Sequence, residues 1–190
     1  MKRYLTLILI LIMAVSLCAC GQNESPDAAG SAASAAEDSA GGTDADTVAQ
    51  DKQEGAVEIE ITPPEGWTPV EGSVIPVQYM KGTASFMVKE EPFSGTTLDD
   101  VVDEALIIYQ DSFDNVKIQG EAEPFTVDEK DARKLTFTCT VGNFNMKFLY
   151  VYLFAADKTY VITFGDQEST FDTMTADYET ILSDIRFITQ

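Results

Sequence analysis

Histidine is missing from all 190 residues. Its absence excludes Ser-His-Asp and Cys-His catalysis and every zinc site that needs an imidazole ligand. Cysteine is scarce: the chain has only Cys18, Cys20 and Cys139. No Cys-x-x-Cys, Gly-x-Ser-x-Gly, Ser-x-x-Lys, Gly-x-Gly-x-x-Gly or phosphate-loop motif occurs, so the usual sequence marks of redox, hydrolase and nucleotide chemistry are lacking. Basic residues are also short, with 12 Lys and Arg against 32 Asp and Glu and a net charge of -20. Such an excess of acid repels nucleic acid and anionic lipid headgroups, and no nucleic-acid partner is expected. Carboxylates alone can hydrolyse glycosides, but only as a pair facing across a sugar cleft. Calcium takes oxygen ligands, yet the alternating Asp/Asn loop with its internal glycine is absent. The expectation is therefore a non-enzyme with no cofactor and no metal site. Small-molecule or cation binding is the alternative, with a carboxylate-based hydrolase behind it.

What is present begins with a leader. Lys2 and Arg3 precede an apolar stretch, residues 5–17, interrupted only by Thr6 and Ser16. This is the form of a secretory signal, shorter than the ~18 to 20 apolar residues a membrane-crossing helix needs. The stretch Leu17-Cys18-Ala19-Cys20-Gly21 resembles the lipobox of bacterial lipoproteins: a branched apolar residue, two small ones, then the modified cysteine. The resemblance implies cleavage between Ala19 and Cys20 and a diacylglyceryl group on the Cys20 thiol. Cutting before Cys18 would put the bulky Leu17 beside the cut. Residues 1–19 are then the signal peptide, and the mature protein is expected at the cell membrane, lipid-anchored through Cys20 on the extracytoplasmic face. With Cys18 removed and Cys20 lipidated, Cys139 is alone and no disulfide can form within one mature chain.

Residues 20–55 read as a disordered acidic tether. From Gly21 onward they are mostly Ala, Ser, Gly, Asp and Glu, which leaves little apolar surface to offset the entropy of ordering. Eight acids against Lys52 give this stretch a charge of -7. A flexible coil of this length reaches roughly 30 Å. It is either a spacer that lifts the domain from the membrane or a passive tail that merely stays soluble, and no binding site is expected in it.

Residues 56–190 are enough for one domain with a real core. Val57, Ile59 and Ile61 alternate with Glu58 and Glu60 as a half-buried strand does, and Pro63-Pro64-Glu65-Gly66 ends the run. Trp67, the single tryptophan, is expected as a core plug rather than an exposed ligand platform. Residues 74–80 and 84–88 read as a hairpin bent at Lys81-Gly82-Thr83, with Pro76 marking an edge or irregular strand. Thr97 caps a helix over 98–111, whose apolar stripe includes Leu98, Val101, Val102, Ala105, Tyr109 and, beyond its end, Phe113. Its acidic face is expected to be simply solvated.

Residues 116–127 form an extended segment broken by Pro124, followed by a turn at Asp128-Glu129-Lys130-Asp131. Leu135, Phe137, Cys139 and Val141 then share one face of a strand, which buries Cys139 as an inert thiol. Residues 148–154 are apolar on both faces and need cover on both sides, so this strand is expected to be central. Ala156-Asp157-Lys158 turns the chain into residues 160–164, and a last helical stripe runs from Phe171 to Ile185. The fold class is α+β: an antiparallel β-sheet with helices packed on both faces, three layers in all.

Four stretches resemble the PsbP-like family, named for the extrinsic protein of photosystem II. They are Pro64-Glu65-Gly66-Trp67 after a strand; Ala132-Arg133-Lys134-Leu135-Thr136-Phe137; Asp157-Lys158-Thr159-Tyr160-Val161-Ile162-Thr163; and Tyr178 with Ile181-Leu182-Ser183-Asp184-Ile185-Arg186-Phe187 at the end. The resemblance implies the same α+β sandwich and a non-catalytic accessory role, with a protein or envelope component as partner. It transfers no functional residue and implies no photosynthetic role.

Overall fold

A computed structural model of the chain describes Gly55 to Gln190. The expected leader, the expected lipidation site Cys20 and the expected tether up to Glu54 lie outside the described residues.

The strands are β1 (Val57–Glu60), β2 (Thr68–Pro69), β3 (Val77–Lys81), β4 (Ala84–Glu91), β5 (Asp114–Ile118), β6 (Glu123–Val127), β7 (Lys130–Val141), β8 (Phe144–Ala155), β9 (Lys158–Gln167) and β10 (Arg186–Thr189). Two helices interrupt them, α1 (Leu98–Ser112) and α2 (Thr175–Asp184), the second entered through a 3-10 turn at Phe171–Met174. Eight strands form one antiparallel sheet in the order β2-β3-β4-β9-β8-β7-β5, with β6 also paired to β7, while β1 and β10 make a separate two-stranded ribbon.

The period of two explains the layers. Leu135, Phe137 and Cys139 of β7 lie opposite Tyr150, Phe148 and Met146 of β8, so both sets share one face. There Tyr109 of α1 stacks on Phe137 at 5.2 Å and meets Tyr150 edge-on at 5.0 Å. Its hydroxyl also lies 2.9 Å from that of Tyr152. On the opposite face Val88, Val151, Leu153, Ile162 and Phe164 pack with Tyr178, Ile181 and Leu182 of α2. The apolar run in β8 is therefore buried on both sides, and the α+β, three-layer arrangement expected from the sequence is the one observed.

Local chemistry places α1. Thr97 accepts from the Asp100 N–H and the Asp100 carboxylate accepts from the Thr97 N–H, both at 3.1 Å, a reciprocal capping box. Those bonds hold the Asp100 carboxyl below its usual range. Gly165 in β9 leaves room for the aromatic face, because a Cβ there would sit 2.5 Å from Phe148 Cε1. Gly165→Ala is expected to cost about 1–3 kcal/mol by overpacking. A urea midpoint unchanged from the parent would refute this role for Gly165.

The structure corrects several local expectations. Pro124 does not break the segment it lies in: β5 and β6 are separated around Gly120 (φ +81°), and Pro124 sits within β6, opposite Arg133 of β7. β6 pairs only with β7, so the missing proline N–H removes no bond from an inner ladder. The β6–β7 turn is only Asp128-Glu129, both left-handed at φ 48° and 61°, and Lys130 and Asp131 already belong to β7. Ala156-Asp157 makes the same kind of two-residue hairpin turn at φ 48° and 60°, with Lys158 opening β9. β3 begins after Pro76, and its outer side is covered only by the two residues of β2 and by Val70, whose N–H donates to the Gln78 carbonyl at 3.0 Å. The final helix ends at Asp184, and Arg186–Thr189 turns away as β10 to pair with β1, a strand the sequence pattern did not predict.

Candidate functional site

The one functional residue assigned from sequence, Cys20, lies outside the described residues, so the candidate site is sought on the domain itself. Cys139 is not it. The thiol is buried in mid-β7, and that burial pushes its pKa up to about 11, which keeps it protonated and inert at neutral pH. Among the described residues no three Asp, Glu or Cys side chains converge as a metal site would require.

Charge distribution is more informative. Residues 56–190 carry 24 acids and nine bases, a charge of -15. Eight of those bases, Lys81, Lys89, Lys130, Arg133, Lys134, Lys147, Lys158 and Arg186, have a carboxylate within 4.0 Å. Seven acids are used in doing so, which leaves 17 without an ion-pair partner among the described residues. A phosphate or an acidic partner would find almost no uncommitted cation here.

Several acids on and around α1 are occupied by the fold. Asp99 takes Arg133 at 2.7 and 3.4 Å. Glu104 accepts from Ser94 and Gly95 in the preceding loop. The expectation of a solvated acidic face holds for Asp103 and Asp111, which are exposed.

The Pro64-Glu65-Gly66-Trp67 segment forms a latch onto α2. Asp177 Oδ2 accepts from Trp67 Nε1 at 2.8 Å and from Lys81 Nζ at 2.7 Å, while Lys81 also donates to the Glu65 carbonyl at 3.0 Å. Trp67 is buried and meets Phe86 edge-on at 5.9 Å, so it is the core plug expected from the sequence. Hydrogen bonds from Lys81 and Trp67 lower the Asp177 pKa below 3.8. A depressed carboxylate contributes stability above its unfolded pKa and loses it as the pH falls through the folded value. The domain should therefore weaken on acidification below 3.8. Asp177→Asn should remove part of that dependence while costing about 1 kcal/mol at neutral pH, since the pair is partly exposed. Identical acid-unfolding curves for parent and variant would count against the latch.

Asp128 behaves in the same sense. Burial pushes its pKa up, but Lys130, the Phe187 N–H and Arg186 together hold it down. Tyr178 is the opposite case, since burial raises its pKa and its hydroxyl has no hydrogen-bond partner among the described residues. Tyr178→Phe is expected to leave stability unchanged or raise it by about 1–3 kcal/mol. A lower melting temperature would reveal a partner for that hydroxyl.

Two clefts flank the α2 face. One, of about 330 Å³, lies between the β6–β8 surface and α2 and is lined by Phe125, Leu149, Phe171 and Leu182. Lys134 Nζ stands 5.1 Å above the Phe125 ring and 3.2 Å from Glu123, so its charge is already committed. The second, of about 500 Å³, lies where the ribbon meets the main sheet. Val57, Glu58 and Ile59 of β1 form one wall, and Val77, Val88 and Tyr160 are the buried apolar residues opposite. Lys89 and Glu90 complete its rim. Both rim charges have partners, Glu91 at 2.9 Å for Lys89 and Lys158 at 2.9 Å for Glu90. The second cleft is the larger and is the candidate site. No sequence motif pointed to it, because its walls come from four separate strands, β1, β3, β4 and β9.

A mainly antiparallel sheet between two helices, with a separate ribbon made of the domain's first and last strands, defines a three-layer α+β protein. No protein-family model matches the chain, and no curated protein matches it in sequence. Solved structures do match. LpqN of Mycobacterium tuberculosis, described as involved in cell envelope biogenesis, superposes with a TM-score of 0.55 at 10% identity, over 72% of this chain and 87% of that one. The chain thus shares its fold with LpqN. A Pseudomonas aeruginosa protein of unknown function matches with a TM-score of 0.47 at 12% identity, over 68% of this chain and 81% of its own. The cyanobacterial PsbP of Synechocystis sp. PCC 6803 matches at 0.45 and 16% identity, over 73% and 96%.

Proposed function

We propose that this chain is a non-catalytic binding protein of the cell envelope, exposed on the extracytoplasmic face and held to the membrane by a lipid on Cys20. The observation that carries the reading is the run Leu17-Cys18-Ala19-Cys20 at the end of an apolar leader. Two features of the domain support it. Without histidine, general acid-base work at neutral pH would fall to groups far from their ordinary pKa. With eight of nine domain bases in ion pairs, the surface has little to offer anionic headgroups, so attachment falls to the lipid. The involvement of LpqN, which shares the fold, in cell envelope biogenesis is consistent with this location.

Chemical crosslinking on intact cells tests the reading. A partner recovered reproducibly with the parent chain, and lost when the domain is unfolded by a core substitution, is the expected result. Repeated recovery of no specific partner would overturn it. The 17 acids without ion-pair partners favour one other reading, cation binding. Calcium that binds the native state must raise the melting temperature, so an unchanged melting curve would dispose of it.

A further inference from the structure

β1 has a strand partner on one side only. Its ladder with β10 sets Val57 opposite Thr189, Glu58 opposite Ile188 and Ile59 opposite Phe187. The Gln190 N–H donates to the Ala56 carbonyl at 3.1 Å, which fixes the alternation of the ladder. Ala56, Glu58 and Glu60 exchange bonds with β10, so Val57 and Ile59 direct their N–H and C=O groups to the other side. β10 obeys the same parity: the Phe187 N–H faces away from β1 and is capped by the Asp128 carboxylate at 2.9 Å. β1 has no such cap. Among the described residues neither a strand nor a side chain takes up the outward backbone groups of Val57 and Ile59.

That open edge borders the larger cleft. Three consecutive residues of β1 line it, and successive residues point to opposite faces, so the cleft follows the strand's edge rather than one of its faces. Across it stand the buried residues Val77, Val88 and Tyr160. An unpaired edge beside an apolar wall is the geometry an extended peptide uses when it joins a sheet.

Charge selects the occupant. Glu58 and Glu60 stand exposed on the outer face of β1, and Lys89 on the rim is neutralised by Glu91. A second copy of the domain brings a further charge of -15, and the chain's own residues 20–55 bring -7, so both are repelled. A strand with Lys or Arg alternating with small apolar residues would set its bases against the carboxylates and its apolar side chains toward the core side. We propose that the outer edge of β1 takes an extended, basic, alternately apolar segment of a partner protein as an added strand. This deepens the binding role proposed above and rests on it for the existence of a partner.

The experiment is amide hydrogen exchange on the full chain, with a short synthetic peptide of alternating lysine and valine as probe and its glutamate-valine counterpart as control. Adding the lysine peptide should slow the Val57 and Ile59 amides by about tenfold or more, leaving Glu58 and Glu60 unchanged because β10 already protects them. Glu58→Lys, at an exposed position where the carboxylate accepts from Gln190 Nε2 at 2.9 Å, should weaken binding of that peptide with little change in the melting temperature. The edge assignment falls if the peptide binds with no protection at Val57 and Ile59, if the control binds equally well, or if the lysine peptide does not bind. It falls also if both amides are protected beforehand, since residues 20–55 or a second copy would then already fill the edge. Protection that disappears on dilution would identify the second copy. If crosslinking captures a partner while these amides do not respond, the binding role stands and this site does not. If the edge responds while no cellular partner is captured, the site stands and the binding role in the envelope does not.

Discussion

Cys20→Ser is expected to abolish lipid labelling of the chain and to leave the precursor uncut between Ala19 and Cys20. The expectation follows from what a thioether-linked lipid supplies. Each buried methylene contributes about 0.8 kcal/mol, so one acyl chain holds a protein only reversibly and two or three hold it firmly. Among the described residues eight of the domain's nine bases are in ion pairs, and no helix is long and apolar enough to cross a membrane. Labelling with a fatty acid, read with the mass of the N-terminus, is the deciding measurement, because an uncut leader can still sit in a bilayer and mislead a fractionation. Undiminished labelling of the serine variant would refute the assignment, and Cys18→Ser should label like the parent.

Phe164→Ala is expected to be the most damaging single change in the domain. Phe164 is fully buried, with its ring centroid 5.7 Å from Phe86 and 4.6 Å from Tyr178. It joins β4, β9 and α2 at the centre of one core. Truncation leaves a cavity that the surrounding rings cannot close, at a cost of about 3–5 kcal/mol. Against a total stability of about 5–15 kcal/mol for a domain of this kind, that is a large fraction. Cys139 is the sole cysteine of the domain, so no disulfide offsets the loss. Equilibrium urea unfolding measures it. A loss below about 1 kcal/mol would mean that α2 settles onto the sheet more freely than close packing allows.

The parts of this fold that could be read from sequence are those in which a local period and a local stop signal agree. α1 has an apolar stripe, a Thr97 cap and Asp100 in the capping box, and its bounds were legible to within a residue. The interior strand β8 was legible because residues 148–154 are apolar on both faces, which only a strand covered from both sides tolerates, although the middle of the sheet is its neighbour β9. Trp67 was legible as a plug, although not its bond to Asp177, which lies 110 residues away.

β10 was missed for a physical reason. Ile185 continues the helical spacing of Ile181 and Leu182, so the stripe runs past the true end of α2 into a strand of four residues. What makes that strand is pairing with β1 across the length of the domain, and such pairing leaves no local periodicity behind. The candidate cleft was illegible on the same ground. Its open edge depends on which residues of β1 bond to β10, a parity fixed by one hydrogen bond between Ala56 and Gln190. The proposed lipidation motif, by contrast, can be read in the sequence because the enzymes that act on such motifs read a short linear segment.

The position of β1 has a mechanical consequence. It is the first strand after residues 20–55, so any pull that arrives through them enters the domain at Gly55 and passes straight into β1. A segment paired along the outer edge of β1 would receive that load in shear, across several backbone hydrogen bonds strained together. The eight-stranded sheet and both cores would stay out of the line of tension. The contact between β1 and the added segment would then be the first part to yield, leaving the rest of the domain folded.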